Sequence, residues 1–341
     1  MRSHTTGKMI KSDIDFVVLW VDPNDPKWQH KKLDYTPDAK SDVGVNRYRD
    51  WGILKYWFRS VEKYAPWVRK IHFVTDEQIP EWLNLDNTKL CHVNHYDYID
   101  KSALPVFNSS AIEIGIHNIP GLSEKFVFFN DDMFITDYIT PDYYFTNGVP
   151  NDMAGLTRKC VASDKSVFSH ILVNDYNLLN KHFNKKDVIK QNRRKWFNLG
   201  YGKTLLRTLL NSNRETFDGL VIPHLSVPYL KKDFEKVWEK ERDVLLQTQH
   251  HKFRDVTDVN HFVFRYWRMC DGAFFPRKSS GKYVPLNDLK SINIAANIIR
   301  RRTYPEVCLN DLWGDSDFEQ ARNMLDDAFR RVLPEKSNFE K

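Results

Sequence analysis

The chain has 341 residues, 41% hydrophobic and 14% aromatic, enough for one large or two ordinary soluble domains. No run of 18 apolar residues occurs, so no transmembrane helix is expected, and the polar start MRSHTTGKMIKSD does not read as a secretory signal. The net charge of +6 comes without a nucleic-acid-binding module, so nucleic acid is not an expected partner; four cysteines with no CxxC pair read as reduced thiols of a cytosolic protein.

Residues 14–21 (IDFVVLWV) form a nearly continuous apolar run, the pattern of a buried parallel strand, and end in the turn-rich DPNDP. Trp51, Leu54, Phe58, Val61 and Ala65 recur at helical spacing, so 47–65 reads as a helix stopped by Pro66. Arg47, Arg49 and Asp50 fall at its start, where two guanidiniums beside a helix N-terminus would make a phosphate-binding corner. A strand is predicted at 70–75, closed by Asp76, then a short helix at 79–83 and a strand at 89–93. Residues 109–118 read as a helix capped by Ser109 or Ser110, and 125–130 as another strand.

This alternation predicts an α/β fold, a Rossmann-like parallel-sheet core with helices on both faces. Such sheets bind ligands beyond the carboxyl ends of their strands, where Asp22, Asp76 and the pair Asp131/Asp132 fall. No GxGxxG or P-loop motif is present. Beyond residue 150 the chain reads as mainly helical, over 164–213, 231–250, 258–270 and 317–332. The expected division is a flexible N-terminus (1–13), an α/β core (14–150) and a helical half (151–341) packed on it as one unit.

The apolar run FVFF ends in Asn130-Asp131-Asp132. A buried strand that delivers two adjacent carboxylates is costly unless a cation or substrate meets them, and hard oxygen ligands of this kind suit Mg²⁺ or Mn²⁺. Glu113, inside an apolar helix, faces either solvent or a site that raises its pKa. His224 follows Pro223 in an apolar run and reads as a core histidine or as a general base. Arg254 alone is an ordinary arginine, and His92 with His95 lacks a third ligand for zinc. The basic stretch 181–195 is either a solvated face or a surface for an anionic partner such as a phosphorylated glycan or anionic lipid.

Four blocks carry a resemblance: IDFVVLWVDPNDP at 14–26; RYRDWGILKYWFRSVEKYAPWVRKIHFVTDEQIPEWL at 47–83 with its continuation at 104–135; 177–229, from NLLNKHF to PHLSVPY; and 308–341, beginning CLNDLWGD. Together they resemble the Stealth family of sugar-phosphate transferases. The resemblance implies a GT-A-like core, a UDP-sugar donor, a divalent metal and an oligosaccharide or polysaccharide acceptor. It implies a catalytic set of Glu113, Asp132, His224 and Arg254. Asp22, Arg47, Arg49, Asp50, Asp76, Asn130, Asn310 and Asp311 would surround the donor, and Asp131 would join Asp132 on the metal. One departure is Asp22-Pro23-Asn24-Asp25, where relatives often have an Asn-Gly turn. The expected reaction moves hexose-1-phosphate to a glycan hydroxyl and releases UMP, in the cytoplasm, with peripheral contact to the inner face of an anionic membrane. The alternatives are a metal-dependent glycosyltransferase that releases UDP, and a glycan-binding protein without activity that uses the 10 Trp and 15 Tyr.

Overall fold

The computed structural model describes residues 13–36, 48–314 and 317–341, so Arg47 lies outside the described residues. The first half runs β1 (Ile14–Leu19), α1 (Pro26–Tyr35), α2 (Leu54–Tyr64), β2 (Ile71–Thr75), β3 (Leu90–Asn94), α3 (Ser109–Glu113), β4 (Lys125–Phe129), β5 (Met133–Ile135), β6 (Phe145–Thr146) and β7 (Val149–Asp152). The second runs α4 (Val167–His182), α5 (Lys185–Gln191), α6 (Arg193–Trp196), α7 (Lys203–Asn211), β8 (Val227–Leu230), α8 (Lys231–Lys240), α9 (Arg242–His250), α10 (Phe262–Cys270), β9 (Phe275–Pro276), β10 (Lys282–Leu286), α11 (Leu289–Arg301), β11 (Glu306–Asp311) and α12 (Phe318–Val332).

β1, β2 and β4 are apolar and buried almost from end to end, as a parallel sheet between two helical layers requires. The sheet has the order β3-β2-β1-β4-β8. β1 pairs in parallel with β2 and β4, β2 with β3, and β8 closes the edge antiparallel to β4. Succession reverses at β1, with β2 and β3 on one side and β4 on the other. A switch point of this kind opens a crevice beyond the strands' carboxyl ends.

Only three residues separate β4 from β5, and β5 belongs to a second sheet of order β10-β11-β5. Asn130, Asp131 and Asp132 are therefore the corner between the sheets. The amide of Leu309 in β11 clamps that corner by donating to the Asp132 carbonyl at 2.8 Å. The halves on either side of residue 150 share both sheets, since β8 completes the first and β10 and β11 make most of the second.

Some expectations are corrected. Residues 79–83 form turns, not a helix, because Leu83 bridges to Glu340 of the C-terminal segment. The helix expected from 47 begins at Leu54, so Arg49 precedes its N-terminus by more than a turn. The helix expected over 109–118 splits into α3 and a 3₁₀ turn at 116–118, and that over 231–250 breaks at Glu241. The basic stretch is not one solvated face. Lys185 is buried with its Nζ donating to the carbonyls of Asn211 and Arg214, Lys195 holds the Gly272 carbonyl, and Lys181 pairs with Glu241. Lys186, Lys190, Arg193 and Arg194 remain exposed.

One buried charge ties the sheet together. Asp15 of β1 is fully buried and accepts from Arg69 Nε (2.8 Å), the Ser123 amide (2.9 Å) and the ring of His72 (2.9 Å). Burial alone would raise its carboxyl, but the bonds from His72, Arg69 and Ser123 outweigh that and hold it below the usual range. Its stabilisation is then present above the unfolded pKa and lost as pH falls through the folded one. Asp15→Asn should cost about 3 kcal/mol at pH 7, the scale for removing one partner of a buried pair. The difference from the parent should shrink below about pH 4. Urea unfolding at several pH values measures this, and an equal difference at pH 3 and pH 7 would contradict it.

Candidate active site

A cavity of about 660 Å³ opens at the switch point. β1 ends there in Leu19, Trp20 and Val21, β2 in Asp76, β3 in His95, β4 in Asn130 to Asp132, and β11 in Leu309 to Asp311. α3 contributes Ser109, Ile112 and Glu113; the segment before α2 contributes Tyr48 to Trp51; the loop before α10 contributes Arg254. The walls divide by chemistry. Trp28, Tyr48 and Phe107 form an aromatic side, with Trp28 and Tyr48 centroids 5.2 Å apart and Trp28 and Phe107 5.7 Å apart. The same cavity is lined by the carboxylates of Asp50, Asp76, Glu113, Asp131, Asp132 and Asp311, with Arg49 and Arg254 as guanidiniums among the described lining residues.

Most of the expected site residues thus meet in one place: Arg49, Asp50, Asp76, Glu113, Asn130, Asp131, Asp132, Arg254, Asn310 and Asp311. Asp22 and His224 do not line the cavity. The Asp22 backbone is clamped by Gln78, whose side chain accepts from its amide and donates to its carbonyl at 2.9 Å each, and its side chain caps Asn24. His224 packs against Tyr283 with the rings tilted by 34° and their centroids 4.8 Å apart, in the left-handed backbone region at φ 49°. The Tyr283 hydroxyl is hydrogen-bonded with Asn310, so His224 stands one side chain behind the wall. Burial pushes its imidazole below the ordinary range. The expected Arg47/Arg49 corner also changes. Arg49 donates to the Trp313 carbonyl at 3.3 Å and lies 3.7 Å from Asp311 Oδ2, so it braces the end of β11.

The carboxylates are crowded. Asp131 stands on the cavity surface but is walled in elsewhere; lost hydration, then the charges of Asp132 and Asp50, push its carboxyl up to about 8. Burial raises Asp132 as well, against a bond from the Cys308 thiol to Oδ2 at 3.3 Å. Its Oδ1 is buried without a hydrogen-bond partner among the described residues. Burial also raises Asp50, which accepts from the Gly52 amide at 2.7 Å, and Asp311, which accepts from the Trp313 amide at 2.8 Å. Asp76 is matched by Lys31 at 3.0 Å. Among the described residues no ready-made cage of three or more His, Cys, Asp or Glu groups is present. Mg²⁺ is commonly held by one or two carboxylates with substrate phosphates and water completing the shell. The donor set fits that pattern: two adjacent carboxylates, one with a buried oxygen lacking a partner among the described residues.

Glu113 is 5% exposed, and burial pushes its carboxyl up to about 7 against the opposing Arg254 charge and a bond with Ser109. Arg254 Nη2 donates to Ser109 Oγ at 2.5 Å. Behind Glu113, His261 Nε2 lies 4.0 Å from Oε2, with Nδ1 2.9 Å from the Tyr229 hydroxyl. Burial pushes His261 down to about 3, so it is neutral there. His95, Ser109, His261 and the aromatic wall were not foreseen as site residues. His95 carried one usable signal, its place just past the end of β3; burial pushes it down to about 4, and His92 bonds Thr75 instead, at 2.8 Å.

Residues 47–152 match the family model described as Stealth protein CR2, conserved region 2. The capsular polysaccharide phosphotransferase WcwK of Streptococcus pneumoniae is 40% identical over 333 residues, covering 96% of this chain and 98% of the relative. The chain belongs to the Stealth family. The exopolysaccharide phosphotransferase cps2G of Lactiplantibacillus plantarum is likewise 40% identical over 332 residues, 96% of each chain. Among solved structures, apo mouse xyloside xylosyltransferase 1 aligns with 89% of this chain and 98% of its own, at TM-score 0.34 and 10% identity, a likeness too weak to carry weight. In this Stealth protein the matched region supplies Asp50, Asp76, Glu113, Asp131 and Asp132, while Arg254, Asn310 and Asp311 come from beyond it.

Glu113 provides a test of the geometry that does not involve turnover. Its folded pKa is raised, so ionising it costs folding stability as pH rises from about 4.5 to about 7. Glu113→Gln removes that cost. The variant's melting temperature relative to the parent should climb between pH 5 and pH 8, by the equivalent of roughly 2–3 kcal/mol. A pH-independent offset would contradict a buried Glu113 carboxyl.

Proposed function

We propose that this Stealth protein is a polysaccharide phosphotransferase that moves hexose-1-phosphate from a UDP-sugar to a glycan hydroxyl, releasing UMP. The observation that supports it most is the gathering of six carboxylates, two guanidiniums and an aromatic wall around one cavity at the switch point. Its volume suits a small-molecule site. Its relatives are named as capsular and exopolysaccharide phosphotransferases. In the reaction the acceptor oxygen attacks the phosphorus that bears the sugar. A new P–O bond forms, the bond from that phosphorus to the bridging oxygen breaks, and UMP departs.

The negative excess makes the bare cavity a poor host for a pyrophosphate. Asp131 and Asp132 would hold Mg²⁺ or Mn²⁺ there, which neutralises phosphate charge and polarises the bond that breaks. Arg254, oriented by Ser109, presents a guanidinium where charge spreads over the transferring phosphoryl oxygens. Glu113 beside it takes the acceptor proton, since its carboxyl titrates near neutrality and it lines the cavity. His224 acts at one remove, through Tyr283 and Asn310. The aromatic wall offers flat faces for a base or sugar ring. Arg49 and Asp311 keep the β11 end of the cavity in place.

Incubation with a panel of UDP-hexoses, Mg²⁺ and glycan acceptors should yield UMP and a phosphodiester-linked product. UDP with a plain glycosidic product would overturn the phosphotransferase reading. Excess EDTA should abolish turnover and Mg²⁺ or Mn²⁺ restore it. Mg²⁺ binding by calorimetry should tighten from pH 6 to 8, by up to about tenfold per unit, because Asp131 must lose its proton. A pH-independent affinity would remove Asp131 from the metal.

With metal saturating, kcat should rise with pH through about 7 as Glu113 deprotonates. Glu113→Gln should lower kcat by roughly 10²–10⁴ and erase that limb. His224→Ala should reduce kcat but retain it. If the limb survives in Glu113→Gln and disappears in His224→Ala, the two roles are reversed.

A further inference from the structure

The segment from the 3₁₀ turn at 199–201 through α7 carries an apolar face that none of the described residues covers. Leu199 is 87% exposed, Leu206 61%, Leu209 49% and Leu210 74%. Lys203, Leu206, Arg207 and Leu210 follow at i, i+3, i+4 and i+7, so cations and leucines share one stripe of α7, and all four are exposed. The helix cannot roll to hide them. Its other side is pinned by buried Thr208, whose hydroxyl accepts from the Leu156 amide at 3.1 Å and donates to the Thr204 carbonyl at 2.9 Å. Lys185 ties its C-terminal end by the Asn211 carbonyl at 2.8 Å. Exposed Arg193 and Arg194 stand on α6, just ahead in the chain. The acids nearby in sequence are Asp187, Glu215 and Asp218; Glu215 lies 3.6 Å from Lys186, and Asp218 pairs with Arg214 at 2.9 Å.

We propose that this face docks on an anionic lipid bilayer, with α7 lying in the interface. An exposed leucine sector with Lys203 and Arg207 along its border is the pattern of an interfacial helix, whose apolar face enters the bilayer while the cations stay at the headgroups. A soluble polyanion would satisfy Arg193, Arg194, Lys203 and Arg207 but leave the four leucines in water. A second copy meeting the same face would press like charges together. A bilayer with anionic headgroups takes both. Among the described residues no helix is long and apolar enough to cross a membrane. The contact does not depend on the reaction assigned to the cavity.

The test uses the full chain with phosphatidylcholine vesicles and with vesicles containing phosphatidylglycerol, followed by co-sedimentation. Binding should be confined to the anionic vesicles and weaken with salt. Arg193→Gln with Arg194→Gln should weaken partitioning by about thirtyfold, at roughly fivefold per cation. Leu206→Ser with Leu210→Ser should weaken it at least as much, while the melting curve and turnover of a soluble acceptor stay unchanged. Equal binding to both vesicle types, no binding to either, or variants that bind like the parent would overturn the proposal. So would a dimer of the parent in light scattering that the leucine pair dissolves, since the face would then belong to a second copy.

Discussion

The corner between β4 and β5 is the constraint on which the rest of the structure depends. Three residues, Asn130 to Asp132, must carry the chain from the core sheet into a second sheet, and two of them are carboxylates. FVFF sets the corner at the end of a buried strand, with Asp131 opening on the cavity and Asp132 half-buried behind it. Packing against Cys308 and Leu309 closes the far side. The result is a pair of acids whose charged forms are disfavoured until a cation arrives.

Other features follow from serving that corner. β11 lies against β5, which sets Asn310 and Asp311 beside the acids, and Arg49 braces its end. α3 is short, stopping at Glu113 before the chain turns back toward β4, and so holds Glu113 in the wall. Glu113, Asp131 and Asp132 all cost folding stability near neutral pH in the absence of ligand. The Asp15 network deep in the sheet and the aromatic core around Phe16, Trp57 and Phe129 offset that cost away from the site. Sites of this kind concentrate strain where chemistry is done.

The core sheet was legible because its strands are apolar runs that stop abruptly at acids. The same rule puts Asp76, Asp131 and Asp132 at one end of the sheet. The second sheet was not legible. EVCLND is short and ends in polar residues, and KYVPL contains a proline, which β10 tolerates because it lies at the edge of its sheet. Asn310 and Asp311 were therefore reached by family resemblance alone, without an element to put them on. Glu113 stood open between solvent and site, a choice that only the tertiary burial of α3 decides. His224 illustrates the opposite limit: its residue type suits a base, but periodicity cannot show that Tyr283 stands between it and the cavity. The basic stretch misled for a related reason, since Lys185 and Lys195 hold carbonyls whose positions depend on chain folded from far away.

The role of the corner is tested most directly by paramagnetic resonance of the Mn²⁺-loaded protein with a UDP-sugar bound. A single Mn²⁺ should show hyperfine coupling to ³¹P of the donor, and Asp132→Asn should abolish that coupling while the protein remains folded. Mn²⁺ bound with the same ³¹P coupling in Asp132→Asn would show that the acids at the β4–β5 corner do not hold the metal against the donor.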